Sequence, residues 1–472
     1  MKIQFVGPAY RARSVNVDAQ RAVNCYLEMD NASPRAPIAL YGTPGARLAF
    51  TLPQGPVRGV IRTLEVSWWV AGNGVYLVDN DYTVRTLGYI TTSEGPVSMS
   101  ASVDQILLVD GIFGYSVNGS GVTQIADPEF PNGVRSSALQ DGYFIVTGNG
   151  SGKFYISEIG DLNDWDGTEF ASAEGSPDNT VGCISDHREL WLFGDNSAEV
   201  WINTGNVDFP FERSANVFVE IGTAAAPTIQ KLDNTIFWLG QDDRGAGIVW
   251  RMNGYTPARV SDHAIEFAIQ SYAVISDAIA FTYQQEGHSF YVLTFPTAGK
   301  TWVYDVATNQ WHERAWRDPD LNTLTRWRPN CHVLQNNKHL VGDFEDGRVY
   351  ELDLDYFMDD TDPILRLRAS QTMETEQLRQ IFESVQVDME TGVGLATGQG
   401  ENPILMLRWS DDGGHTWSNI KSVPIGAIGK YGARAMFWRC GMGRNRVWEI
   451  SMTDPVKFAV MGAVARVRKA AS

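Results

Sequence analysis

The stretch Ser410-Asp411-Asp412-Gly413-Gly414-His415-Thr416-Trp417 combines residue types and spacing that match a defined local chemistry. It fits the pattern S-x-D-x-G-x-T-W, the Asp box. In that pattern the carboxylate of Asp412 binds backbone amides across a hairpin, Gly414 permits a positive φ, and Trp417 packs under the turn. Ser410, Asp412, Gly414, Thr416 and Trp417 therefore form a candidate structural site. The pattern specifies a hairpin and supplies no reacting group; in sialidase propellers it lies away from the catalytic centre.

No second constellation points to catalysis. A glycosidase needs two carboxylates about 5–9 Å apart, one of them with a raised pKa, and the order of Asp and Glu singles out no such pair. Arg58, Arg62, Arg135 and Arg244 form no recognisable sialidase-type arginine motif. The seven histidines, His187, His263, His288, His312, His332, His339 and His415, show no H-x-x-x-H spacing, so no metal site is expected. Nucleophile-elbow and Walker patterns are absent. Gly148-Asn149-Gly150-Ser151-Gly152-Lys153 joins two strands where a phosphate loop would open a helix, so it is expected to be a hairpin turn. Cys25, Cys183, Cys331 and Cys440 lie far apart without a C-x-x-C pair and are expected to be buried, reduced thiols. The expectation is a non-enzymatic chain with no cofactor, no catalytic residue and no bound metal.

The elements that must position these residues are repeated strand pairs. Tyr76, Tyr115, Tyr155, Trp201, Trp250, Tyr304 and Tyr350 recur at spacings of 39, 40, 46, 49, 54 and 46 residues. Each opens a strand and follows an apolar partner strand such as Ile106–Val109, Tyr143–Val146, Leu190–Phe193 or Ile236–Leu239. Alternation places Trp302, Tyr304 and Val306 on one face, and turns such as Asn118-Gly119 and Asn253-Gly254 separate the strands. Strand repeats of this period are the mark of a β-propeller, with four strands per blade. The direct count gives seven blades, or six if one copy is degenerate. One helix interrupts the pattern: Ser261 and Asp262 offer an N-cap, and Ile265, Ala268, Ile269 and Tyr272 fall at helical spacing.

The ends differ. Residues 1–50 lie outside the repeat, and the proline-rich stretch Asp30 to Pro44 reads as an extended arm that closes the ring or reaches a neighbour. Asp353, Asp355, Asp359, Asp360 and Asp362 form an acidic connection ending at Pro363, read as a solvated linker because it lacks the glycine and terminal glutamate of an EF-hand loop. Beyond it, strands at Ile364–Arg368, Ser384–Met389, Ile404–Trp409, Ala435–Arg439, Val447–Met452 and Phe458–Val467 make a β-sandwich. The fold class is thus all-β: an extended arm at 1–50, a β-propeller at 51–360, and a C-terminal β-sandwich with the Asp-box hairpin at 361–472.

Composition narrows the partners. With 38 basic against 56 acidic residues, the formal charge is −18, unsuited to wrapping or reading DNA but compatible with DNA passing close by. The N-terminus lacks the apolar core of a signal peptide, and no run of 18 apolar residues exists.

Several segments also form a set: Arg21-Ala22-Val23-Asn24-Cys25-Tyr26-Leu27-Glu28 with Leu40-Tyr41-Gly42-Thr43-Pro44-Gly45; Ser176-Pro177-Asp178 with Phe193-Gly194-Asp195-Asn196-Ser197-Ala198-Glu199-Val200-Trp201; and Ile265-Glu266-Phe267-Ala268-Ile269-Gln270-Ser271-Tyr272. Gly429-Lys430-Tyr431, Trp438-Arg439 and Ile450-Ser451-Met452-Thr453-Asp454-Pro455-Val456 follow the Asp box. Together they resemble the packaged-DNA stabilisation (tail hub, tail accessory factor) family of short-tailed bacteriophages. The resemblance implies a structural protein of the virion tail, assembled in the bacterial host cytoplasm as a homo-oligomer, a hexameric ring or nozzle. Its implied partners are the portal-adaptor (head-to-tail connector) protein above and tail needle, tailspike or fibre proteins below or beside. DNA would pass through without sequence-specific binding. The alternative is a carbohydrate-binding or sialidase-like propeller acting on bacterial surface glycans, which turnover of polysaccharide would distinguish.

Overall fold

The computed structural model describes residues 1–470 apart from 12, 15–17, 30–36, 104, 173–177, 375 and 377. Ser176 and Pro177 of the resemblance, and Pro34 of the expected arm, lie outside the described residues.

The repeat folds as four-stranded antiparallel sheets. In the first, Val57–Thr63, Val66–Ala71, Gly74–Val78 and Val84–Tyr89 pair in chain order. Its two middle strands are nearly all apolar and buried, because the sheet packs against a neighbour on both faces. Further sheets follow at 98–124, 136–172, 180–219, 222–259, 279–317 and 329–353. Their innermost strands pack in chain order and the last meets the first, which closes a β-propeller of seven sheets. Six have an unbroken innermost strand. In the fifth it is split into Gly222–Thr223 and Gln230–Leu232 by a 3-10 turn at Ala226–Thr228.

The seven repeat aromatics all lie in the third strand of their sheet. Tyr76, Tyr115, Trp201, Tyr304 and Tyr350 are buried; Tyr155 and Trp250 are half-buried. Tyr350 shows what such a position does. Its hydroxyl donates to Asp343 at 2.7 Å, and Asp343 takes both arms of the Arg328 guanidinium at 2.6 and 3.0 Å. The helix His263–Gln270 is capped by Asp262, whose side chain accepts from the Ile265 amide. Ile265 and Ile269 fill the space between the fifth and sixth sheets.

The seventh sheet takes its outer strand from the other end of the chain. Gly45–Thr51 pairs with Arg348–Asp353. Gly45 is held in a slot that excludes any side chain: a Cβ there would lie 2.3 Å from the Tyr356 carbonyl oxygen.

Of the extended arm expected at 1–50, Gly45–Thr51 thus closes the ring, but the rest is corrected: its strands belong to the main body of the chain. Cys25–Met29 and Ile38–Gly42 form a hairpin whose second strand pairs with Ala459–Lys469, and Lys2–Ile3 pairs with the same long strand. The reason is apolar alternation: Cys25, Leu27 and Leu40 enter the same core as Val385, Phe437 and Trp448, which an arm in solvent would leave exposed. The sandwich is built from this seven-stranded sheet and a second layer of Arg366–Ala369, Val447–Met452, Ile404–Ser410 and Lys421–Pro424.

The acidic connection is likewise not a solvated linker. Met358–Asp359 is a short strand whose Asp359 sits parallel to Ala46, and the Asp359 side chain is buried. Asp360 pairs with Arg348 at 2.8 Å, Asp353 with Arg47 at 2.7 Å, and Asp362 accepts from the Trp316 indole at 2.9 Å. Three of its carboxylates, those of Asp353, Asp360 and Asp362, are engaged by cations and donors of the protein, while Asp355 stays exposed.

Replacing Gly45 by Val is expected to destabilise the chain by about 1–3 kcal/mol or more. Urea denaturation would show this, and limited proteolysis would show the Gly45–Thr51 strand released.

Candidate functional site

The Asp-box residues lie at the tip between Ile404–Ser410 and Lys421–Pro424. Asp412 accepts from the Thr416 amide at 2.8 and 3.0 Å and from the Thr416 hydroxyl at 2.6 Å, while the Ser410 hydroxyl donates to it at 2.6 Å. These hydrogen bonds hold its carboxyl far below the usual carboxylate range. The Gly414 amide donates to the Ser410 hydroxyl at 2.7 Å, and Gly414 has φ +102. Trp417 is half-buried, with the Arg408 guanidinium 4.6 Å from its ring centroid. The Ser410, Asp412 and Thr416 side chains are all used in holding the turn.

Asp411, the unconstrained position of the pattern, does more than the pattern foretells. Its carboxylate takes Arg446 Nε and Nη2 at 2.6 and 2.7 Å. Arg446 is fully buried between Phe382, Trp409 and Trp448. The hairpin is thereby pinned to the sandwich core.

A polar constellation lies where propeller and sandwich meet. Ala22–Val23 pairs parallel to the sixth sheet at Glu313 and antiparallel to Arg366–Ala369. One ten-stranded sheet therefore runs from propeller to sandwich without a break. Residues flanking the two-residue strand secure it. Arg21 donates to both Glu313 oxygens at 2.8 and 2.9 Å, and Lys300 reaches the same carboxylate at 3.1 Å. Burial pushes the Glu313 pKa up, but Arg21 and Lys300 more than offset it and hold the group below its ordinary value. The Asn24 amide donates to the Ala315 and Leu365 carbonyls at 2.8 and 2.9 Å, and its oxygen accepts from the Ala315 amide. Arg368 donates to the carbonyls of Phe5, Gly7 and Pro8 and to Gln20, which ties the N-terminal segment down.

A second clasp crosses the same seam. His288 of the sixth sheet contacts buried Asp305 through Nδ1 and Glu28 of the N-terminal hairpin through Nε2, each at 2.8 Å. Burial pulls its pKa down, but the two carboxylates outweigh it and raise the pKa to about 9. His312 nearby is buried, and that desolvation lowers its pKa to about 3.

The remaining candidates do not converge. Arg58 spends its guanidinium on carbonyls of the 92–95 loop and Gly72, whereas Arg62 binds Leu64 and Leu334. Gly148 to Gly152 form the turn between Tyr143–Thr147 and Lys153–Ser157. His332 and His339 stack on each other, 3.0 Å apart at their nearest nitrogens. Among the described residues no group of three or more His, Cys, Asp or Glu has metal-binding geometry. A cleft of about 160 Å³ beside the fifth sheet is lined by Trp250, Gln241, Asp242 and Arg244. The Asp242 carboxylate there is engaged by the Arg244 and Gly245 amides.

Two family models match the chain. One, described as the β-propeller of bacteriophage P22 Gp10, covers residues 3–357; the other, its β-sandwich, covers 366–468. The chain belongs to the P22 Gp10 family. The boundary between the two matches falls at the seam just described, so the Gp10 propeller and sandwich here share one sheet. No curated protein matches. Among solved structures the chain is similar to the extracellular domain of the hybrid two component system BT4673 from B. thetaiotaomicron, with TM-score 0.44 and 12% identity over 75% of this chain and 45% of that one. This chain thus spans under half of that protein's length. It is also similar to the Neurospora crassa Pan2 WD40 domain (TM-score 0.43, 10% identity, 68% and 96% covered) and to YCF48 from Cyanidioschyzon merolae (0.41, 13%, 66% and 99%). None of these three likenesses bears on what the Gp10-family chain does.

Two outcomes test the geometry. Because the His288 pKa is raised above its unfolded value of about 6.5, the clasp stabilises fully below that pH and is lost as pH rises through about 9. Denaturation midpoints should fall by the equivalent of about 1–2 kcal/mol between pH 6 and 10, and His288→Gln should flatten that difference. Asp412→Ala should speed amide exchange at Thr416 and Gly414 while leaving the propeller core protected. In the unaltered chain, the depressed Asp412 pKa means this protection persists below pH 4 and is lost only in stronger acid.

Proposed function

We propose that this Gp10-family chain is a structural component of a short phage tail. Copies of it form a homohexameric ring or nozzle below the portal and its adaptor, extend the DNA channel, and help retain packaged DNA. The observation that carries this reading is the pair of family matches spanning 3–357 and 366–468. The fold supports it physically. A closed propeller leaves only short, protected sheet edges, and the continuous sheet to the sandwich makes a stiff two-part body. That suits a part that bears load without turning anything over.

The mechanism is steric and electrostatic. A formal charge of −18 disfavours adhesion of DNA to the wall, so the polymer slides past. Contacts to the adaptor hold the ring above, and needle, tailspike or fibre proteins engage it below or beside. No side chain is asked to perform chemistry.

Particles assembled without this chain are expected to lose their DNA, seen as a higher ratio of empty to full heads and as nuclease-sensitive genome. Electron microscopy of complete particles should show the protein as a sixfold ring in the tail. Full DNA retention in its absence, or tails lacking such a ring, would overturn the reading.

A further inference from the structure

Charge is distributed very unevenly between the two parts of the chain. Residues 366–472 carry 14 Lys and Arg against 10 Asp and Glu, whereas residues 1–365 carry 24 against 46. The sandwich is therefore mildly basic on a strongly acidic protein.

Part of that basic character lies on one open sheet face. Ser384 pairs with Trp438 on one side and Arg466 on the other; two residues on, Gln386 pairs with Met436 and Val464, and Val464 with Lys2. Strand alternation puts both rows on the same face, because the intervening Val385, Phe437 and Ala465 point into the core. Trp438 and Val464 are each 57% exposed. Among the described residues, neither Arg466 nor Lys2 forms an ion pair. An exposed tryptophan beside uncompensated cations has the composition of a protein-binding patch.

A complementary surface lies on the propeller. The loop between Lys153–Ser157 and Trp165–Ser172, at the outer rim of the third sheet, carries exposed Glu158, Asp161 and Asp164 around Ile159, which is itself 62% exposed. Glu129 docks against its end through the Gly167 amide at 2.7 Å. Among the described residues, Glu158, Asp161 and Asp164 have no cationic partner. In a ring of seven sheets the third lies across the axis from the sixth, the sheet that continues into the sandwich. The basic face belongs to the sandwich and the acidic loop to the propeller, so a contact between them in two copies is head-to-tail, which generates a ring when the rotation closes.

We propose that the Trp438–Arg466 face of the sandwich docks on the Glu158–Asp164 loop of a second copy of this chain, and that this contact joins neighbours around the ring. The inference rests on the ring reading above and supplies its interface. Ile159 meets the Trp438 and Met436 surface, and Lys2 and Arg466 meet the carboxylates. The contact is heterologous, so each copy uses both faces once.

Sedimentation of the full chain across concentrations and salt tests it. The wild-type chain should self-associate, less so as salt rises. Lys2→Glu with Arg466→Glu, or Glu158→Lys with Asp164→Lys, should each weaken association by about tenfold or more, and combining all four should restore most of it. These residues are exposed, and unchanged melting curves would confirm intact folding. Association that is unaltered in K2E/R466E and in Trp438→Ala overturns the proposal while leaving a ring seen in particle tails intact. So does a chain that stays monomeric at its highest soluble concentration yet forms that ring. Loss of binding to a different tail protein, with self-association unchanged, would assign the face to that partner and overturn the second-copy assignment. Tails with no ring at all would remove the ring reading itself, by a separate observation.

Discussion

Ala22–Val23 is hydrogen-bonded on both edges, and the relation between the two parts of the molecule depends on that. One edge lies against the propeller at Glu313, the other against the sandwich at Leu367 and Arg368. A two-residue strand contributes few ladder bonds, each worth about 0.5–1.5 kcal/mol net. Side chains make up the difference. Arg21 and Lys300 close on the buried Glu313 carboxylate, and Asn24 bridges both sides with a single amide group. Removing one partner of such a buried pair leaves an uncompensated charge, so the contacts across the seam stand or fall together.

Buried arginines recur around this seam, and carbonyl oxygens satisfy many of them in place of carboxylates. Arg368 holds the backbone at residues 5–8, and Arg314 donates to the Pro44 carbonyl at 2.9 Å while its guanidinium lies 3.5 Å from the Trp327 ring centroid. A guanidinium has five donors in a fixed fork, so one side chain can organise a stretch of chain that has no regular structure. The N-terminal segment is ordered in this way.

The propeller was legible because its signals are local. Alternation, turn residues and an aromatic in each third strand all fall within a few tens of residues. The Asp box was legible for the same reason, since Ser410, Asp412 and Thr416 bond one another. What escaped was non-local. Nothing near Lys2 announces that it pairs with Val464, and nothing near Asp359 reveals the Arg314 and Arg366 charges that face it in the fold. Arg446, buried against Asp411, looks in sequence like any surface cation. Proline and small residues at 30–44 suggested an extended arm, but the apolar residues on either side decide where the segment goes.

The seventh sheet, closed by Gly45–Thr51, fixes an order of events during synthesis. Lys2–Ile3 and the free edge of the hairpin at Ile38–Gly42 pair with Ala459–Lys469, so those contacts form only after residues 459–469 have been made. Blades one to six have all their strands in sequence and pair as they emerge, whereas the ring closes only after residue 353 has been made. The chain is thus sewn shut from both ends at once, and a nascent or truncated copy presents an open propeller in place of a finished wall.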